Sequence, residues 1–244
     1  MEPPREDRRE IPEPLEHLKW LLEGLRMGGI KDLPRRRPAV ARAAPEIPDE
    51  CTPTAPHGED LEGIRRDLGE CTRCRLHSGR SRIVFGEGSQ RAGLVFVGEG
   101  PGFEEDRQGR PFVGRAGRLL DRMIGAMDFR REDVYICNVV KCRPPENRTP
   151  EAEEVDACSP FLMRQLTALQ PRAICTLGAC ASQTVLGTRS PISRLRGKIH
   201  RWRGVPVVCT FHPAYLLRNP AQKAQTWLDL LEARRVLAAG KEEE

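Results

Sequence analysis

Four short, unbroken apolar runs separated by helical patterns confine this chain to a small set of folds. The runs are Leu94-Val95-Phe96-Val97, Val134-Tyr135-Ile136-Cys137, Ala173-Ile174-Cys175-Thr176-Leu177 and Val205-Pro206-Val207-Val208-Cys209-Thr210-Phe211. A strand with one wet face alternates apolar and polar residues, so a run without alternation is covered on both sides. Between the runs, residues 118–127 carry Leu119, Leu120, Met123 and Ile124 at helical spacing. Residues 151–169 follow the helix-start signal Thr149-Pro150, and residues 222–239 carry Trp227, Leu228, Leu230, Leu231 and Val236. The pattern predicts an α/β fold with a mostly parallel central sheet and helices on both faces. Ligands of such sheets bind beyond the carboxyl ends of the strands. Glu99, Asn138 and His212 each follow one of these runs.

The ends of the chain read differently. Residues 1–60 are predicted to be a flexible extension rich in Pro, Ala and charge, with a short amphipathic helix around Leu15, Leu18, Trp20, Leu21, Leu22 and Leu25. Such a helix on a leash is a candidate docking arm for a protein partner. Residues 61–240 are expected to form one domain, and residues 241–244 a charged tail. The extension has a net charge of −3 and residues 61–244 one of +8, a balance that suits a polyanionic partner. No apolar run approaches the roughly 18 residues that span a bilayer, and Met1-Glu2-Pro3-Pro4-Arg5 opens no signal peptide. No membrane association and an intracellular, cytoplasmic location are therefore expected.

In a reducing compartment, nine cysteines read as metal ligands or small buried apolar groups rather than disulfides. Cys71 and Cys74 form a C-x2-C pair, with Cys142 and Cys158 far along the chain. That set fits either a structural zinc or an iron–sulfur cluster, and spacing alone does not decide. Cys51, Cys137, Cys175, Cys180 and Cys209 lie in the extension or on or beside apolar runs and read as non-ligands.

Between the two cysteine pairs, and past the second at residues 212–218, lie the groups that carry chemistry. Gly98-Glu99-Gly100-Pro101-Gly102 allows backbone N–H groups to approach a ligand closely, although an ordinary strand-to-helix turn would look the same. It lacks the lysine-containing pattern of a P-loop. Phe112, bracketed by Gly109 and Gly114, offers a ring to stack on a planar base or to anchor its own loop. The Asn138 amide can accept from one ring N–H and donate to the adjacent carbonyl, matching the N3–H/O4 edge of uracil. An imidazole at His212 could steady a leaving group that gains negative charge. Leu216 and Leu217, before Arg218, could enter a base stack or simply bury at a helix start.

Taken together, these motifs resemble the family 4 uracil-DNA glycosylases, the iron–sulfur branch of that superfamily. The resemblance runs from about Ile64 to Leu231. It includes the four cysteines, Gly98-Glu99-Gly100-Pro101-Gly102 with Glu105-Asp106, and Gly109-Arg110-Pro111-Phe112-Val113-Gly114. It continues through Asn138-Val139-Val140-Lys141-Cys142-Arg143-Pro144-Pro145, Leu195-Arg196-Gly197 and Phe211-His212-Pro213-Ala214-Tyr215-Leu216-Leu217. It implies a single domain stapled by a 4Fe-4S cluster at Cys71, Cys74, Cys142 and Cys158, with zinc the less favoured metal. It further implies that Phe112 stacks on a flipped uracil, Asn138 reads its edge and His212 contacts O2. Gly100 lines the base site, Glu99 positions the attacking water, and Glu105 crowds C5 where thymine has its methyl.

A related branch that traps uracil covalently has a Lys-Arg-Arg-Ile-His insertion where this chain reads Lys141-Cys142-Arg143-Pro144-Pro145, so hydrolysis with turnover is expected. The expected partner is uracil-containing DNA, double- or single-stranded, bound through cations such as Arg115, Arg118 and Arg196. The rival readings are a metal-stapled DNA-binding module without catalysis and a scaffold that recruits a partner.

Overall fold

The computed structural model of the protein describes residues 58–239. The proposed leader helix, Cys51 and the charged tail lie outside the described residues. In chain order the elements are α1 (Leu61–Leu68), β1 (Glu87–Gly88), β2 (Leu94–Gly98), α2 (Phe103–Gln108), α3 (Arg115–Ala126), β3 (Tyr135–Asn138) and α4 (Ala152–Leu169). They continue with β4 (Ala173–Leu177), α5 (Ala179–Leu186), α6 (Ile192–Leu195), β5 (Ile199–Trp202), β6 (Val205–Thr210), α7 (Pro213–Arg218) and α8 (Lys223–Ala239). No helix among the described residues is long and apolar enough to cross a membrane.

The six strands form one sheet in the order β1-β3-β2-β4-β6-β5. The four apolar runs are its centre, paired in parallel as β3-β2-β4-β6. The centre is parallel as expected, and the edges add what the sequence did not announce: β1 and β5 both pair antiparallel, which makes the sheet mixed. The β5 edge is a hairpin whose two turn residues, Arg203 (φ 46°) and Gly204 (φ 83°), both adopt positive φ. Tight two-residue hairpins require that geometry to match strand twist.

The apolar runs do not alternate because both faces are buried. On β2 and β3, Val95, Val97, Tyr135 and Cys137 join one core with Ile64, Leu162, Leu166 and Val185 from α1, α4 and α5. The intervening Leu94, Phe96 and Ile136 join the other, with Leu119, Leu120 and Met123 of α3, Leu216 of α7 and Leu230 of α8. Successive side chains point to opposite faces, so each strand contributes to two cores and the sheet is the middle of three layers.

Strands β2 and β4 are neighbours whose following connections lead to opposite sides of the sheet, towards β3 and towards β6. That is the topological switch at which such sheets open a crevice beyond the strand ends. Glu99 follows β2, Asn138 ends β3, Gly178 follows β4 and His212 lies two residues past β6.

Candidate active site

A cleft of about 600 Å³ opens at this switch, lined by Glu99, Gly178, His212, Ser193 and Tyr215 among others. Beside it, Phe112 and Asn138 meet over Gly98. A β-carbon placed at Gly98 would lie 2.4 Å from Asn138 Oδ1 and 2.5 Å from the Phe112 ring, so only glycine permits this approach. The rings of Phe112 and His212 stand 5.6 Å apart, centroid to centroid. Residues from three separate loops therefore converge. Gly100 adjoins them, with space for a β-carbon there filled by Val140.

Asn138 is 1% exposed. Its Oδ1 is the one buried side-chain polar atom among the described residues that lacks a hydrogen-bond partner. Leaving an acceptor unpaired costs about 1–3 kcal/mol, and such an atom calls for an explanation. A planar ligand carrying an N–H would satisfy it. The Asn138 backbone is fixed separately: the buried Lys141 donates from Nζ to its carbonyl (2.7 Å) and to Gln165 Oε1 (2.6 Å). Burial pushes the Lys141 ammonium below its ordinary value.

His212 caps α7, its Nδ1 accepting from the Ala214 N–H at 3.1 Å. In the neutral ring the proton is therefore on Nε2, which is left as a donor. Burial, and then the nearby Arg218, push this imidazole down to about 4. Burial also raises the Glu99 carboxyl above its ordinary value.

Phe112 adopts φ 51°, a strained conformation for a non-glycine residue. Its loop is held from both sides. Glu105 Oε1 accepts from the N–H groups of Val113 (2.8 Å) and Gly114 (2.9 Å), and its Oε2 from that of Gly102 (3.1 Å). Arg131 donates to the carbonyls of Pro111 (2.5 Å) and Phe112 (3.2 Å). Gly117 comes so close beneath that a β-carbon there would collide with the Phe112 carbonyl. Glu105, expected against C5 of the base, thus uses both oxygens to join the glycine turn to the Phe112 loop.

Two further expectations change. Leu216 is wholly buried in the α3/α8-side core and is not free to enter a base stack. Arg196 is not a free phosphate ligand: it pairs with the buried Asp229 at 2.9 Å, donates to Gln225 Oε1 and lies 4.9 Å from the Phe211 ring centroid. Desolvation raises the Asp229 carboxyl, opposed by Thr210 and Arg196. Breaking a buried pair strands a charge, at about 3–5 kcal/mol. Arg196→Met is accordingly expected to lower unfolding free energy in urea by about that amount. Arg115 and Arg118 are exposed at the start of α3.

The uracil DNA glycosylase superfamily model matches residues 85–232. The chain belongs to the uracil-DNA glycosylase superfamily. It is 52% identical to the type-4 uracil-DNA glycosylase of Thermotoga maritima over 163 residues, covering 66% of this chain and 85% of that protein. It is 45% identical to the type-4 enzyme of Archaeoglobus fulgidus over 170 residues (66% and 85%) and 45% identical to that of Pyrobaculum aerophilum over 179 (70% and 91%).

For a member of this superfamily the four cysteines need their own account. Cys142 and Cys158 are buried in the core that contains α1 and α4, and Cys71 and Cys74 pack against it. Three donors reach the sulfurs: Arg80 to Cys142 (3.3 Å), the Lys141 N–H to Cys158 (3.3 Å) and Arg73 to Cys71 (3.6 Å). Burial pushes the Cys158 thiol up to about 11, with Cys142 and Cys74 adding to the rise. Among the described residues no three His, Cys, Asp or Glu side chains close on one point that could hold a single metal ion. The expected metal staple is therefore not displayed.

Arg131, Gly117, Lys141 and the bonding role of Glu105 did not emerge from sequence. Their partners are up to 44 residues away, and no local pattern announces such contacts.

Proposed function

We propose that this protein hydrolyses the N-glycosidic bond of uracil in DNA, releasing the free base and leaving an abasic site. The observation that carries the reading is the unpaired Asn138 Oδ1 in a buried position beside the Phe112 ring. The uracil N3–H would complete that acceptor, and the amide would donate to O4. Cytosine offers an acceptor at N3 and would leave Oδ1 unpaired, so a buried amide discriminates strongly between the two.

The target nucleotide would leave the helical stack at a cost of a few kcal/mol, less where it is mispaired or single-stranded. As the bond from C1′ to N1 breaks, its electron pair goes to the base and positive charge grows on the sugar. His212, neutral with its proton on Nε2, donates a hydrogen bond to O2 without transferring the proton. Glu99, which lines the cleft just after β2, steadies the sugar's charge and orients a water whose oxygen attacks C1′; the proton that this water sheds passes through the Glu99 carboxylate to solvent, and uracil leaves as the anion. Phe112 stacks on the base, and Glu105 keeps that ring in place. Arg115 and Arg118 supply phosphate contacts, so affinity falls steeply with salt.

The four cysteines suit a 4Fe-4S cluster in this reading. An all-thiol set suits soft metals, and a tetranuclear cluster gives each thiolate its own iron, whereas zinc ligands converge on one point. The cluster would tie the 71–74 segment, Cys142 and α4 together beside the loop that carries Asn138. The N–H donors at three of the sulfurs are the kind of contacts that tune such clusters.

Incubating the protein with uracil-containing DNA and scoring abasic sites tests the reading; no release of uracil would end it. Asn138→Asp supplies the specificity test. Its preference for uracil over cytosine is expected to fall at least tenfold, and an unchanged preference would remove Asn138 from the proposed role.

A further inference from the structure

Phe103 is the one aromatic ring among the large apolar side chains exposed in the described residues, at 50%. A lone exposed ring is ordinary by itself; what sets this one apart is its position and its cations. It opens α2, immediately after the glycine turn, and is flanked by cations: the guanidinium of Arg143 lies 5.0 Å and that of Arg107 5.7 Å from its ring centroid. The two arginines come from different segments, Arg107 from α2 itself and Arg143 from a distant loop. Arg143 belongs to the segment after Asn138, and Val140 and Pro144 of that segment pack against Gly100 of the turn. Its orientation is set by a bond from Nε to Asn147 Oδ1 at 2.8 Å. Asn147 and Glu146 both adopt positive φ, just past Pro144-Pro145, so the arginine is held by a stiff loop. Two residues beyond Phe103, Glu105 fastens α2 to the Phe112 loop. The exposed ring is thus joined through short connections to the same turn that carries Glu99 and to the loop that presents Phe112.

We propose that Phe103, with Arg143 and Arg107, is a stacking platform for an unpaired base next to the extruded nucleotide on the same DNA strand. The choice of DNA rests on the proposed function; the platform itself rests on the ring, its exposure and its cations. A base gains from stacking on an aromatic ring or a guanidinium plane whatever its identity, and the flanking arginines attract the adjoining phosphates. A fully paired neighbour keeps its partner in the helix and cannot reach the ring, so the platform favours single-stranded and mispaired substrates.

Two measurements test it. The first is fluorescence anisotropy with a labelled, uracil-free single strand, which needs no catalysis. Phe103→Ala is expected to weaken binding roughly tenfold, Phe103→Trp to retain it, and a fully paired duplex to be affected less than threefold. Arg143→Ala should also reduce the salt slope by about one. The second is uracil release from single-stranded DNA, where the Phe103→Ala loss is expected mainly in KM. Because the side chain is half exposed, thermal unfolding of these variants should match the wild type, separating a lost contact from a damaged fold. Equal single-strand affinity of wild type and Phe103→Ala would overturn the proposal, as would an equal loss on paired duplex. Wild-type protein that binds the single strand through Phe103 yet releases no uracil would leave the platform standing and end the glycosylase reading instead.

Discussion

His212→Ala is expected to lower kcat for uracil release by about 10²–10³, the usual cost of removing one preorganised donor to a developing oxyanion. The imidazole caps α7 through Nδ1, so the same variant should also lose about 1 kcal/mol of stability, too little to unfold the domain. Asn138→Ala should approach the same loss of rate, and, with both residues proposed to grip one base, the double variant should fall short of the product of the two. The pH profile separates this role from general acid catalysis. Burial holds the His212 pKa near 4, so the ring is already neutral across the working range. No inflection between pH 6 and 7 is expected in kcat/KM. An acid limb should instead appear as Glu99 takes up a proton, above the ordinary carboxylate value, because burial raises it.

The same shift has a stability consequence. Between about 4 and 6.5 the unfolded chain protonates His212 while the folded ring stays neutral. The unfolded state binds more protons there, so this contribution is complete above 6.5 and is lost as pH falls towards 4. Replacing His212 with a residue that does not titrate should flatten that part of the stability curve.

Glu99, Asn138 and His212 were legible in the sequence because each sits at or just past the carboxyl end of a strand. Those strands declared themselves because burial on both faces removes polar alternation. The edge strands did not. β1 is two residues long, and β5 reads Ile-His-Arg-Trp with only partial burial, so neither carries an apolar run. The sequence reading also supplied a plausible role for Arg196 from its charge alone. Its actual partner, Asp229, lies 33 residues away on α8, and no local spacing reveals a pairing made by two elements folding together. The clamp around Phe112 escaped for the same reason. A strained φ is a property of the folded backbone; Glu105 entered the sequence reading as a group beside C5 of the base, not as a clamp, and Arg131 did not enter it. What sequence displays is the chemistry aimed at a ligand; what it conceals is the bonding that aims it.

Cys158→Ala is expected to give the second large effect, through stability rather than rate. Cys158 lies on α4 while Cys71, Cys74 and Cys142 come from segments elsewhere in the chain, so a cluster held by all four would cross-link the domain where it has little regular structure. Metal binding of this kind is folding free energy. Wild-type protein purified without oxygen should be brown and contain roughly four irons per chain, and the variant should be pale, with less than about one. Its thermal midpoint should fall by about 10 °C, the shift that a loss of several kcal/mol produces in a domain of this size. Cys175→Ala is the control. Cys175 is equally buried but sits on β4 in the opposite core, so its loss should cost about 1 kcal/mol of packing and no iron. The Arg75–Glu154–Arg148 ion pairs, which bind the segment after Cys74 to the start of α4, should keep the variant folded at low temperature. Retained activity at 20 °C with lost colour would make the cluster a staple. A colourless wild type holding one zinc would replace the cluster with a different metal, and a wild type holding neither would remove the staple altogether.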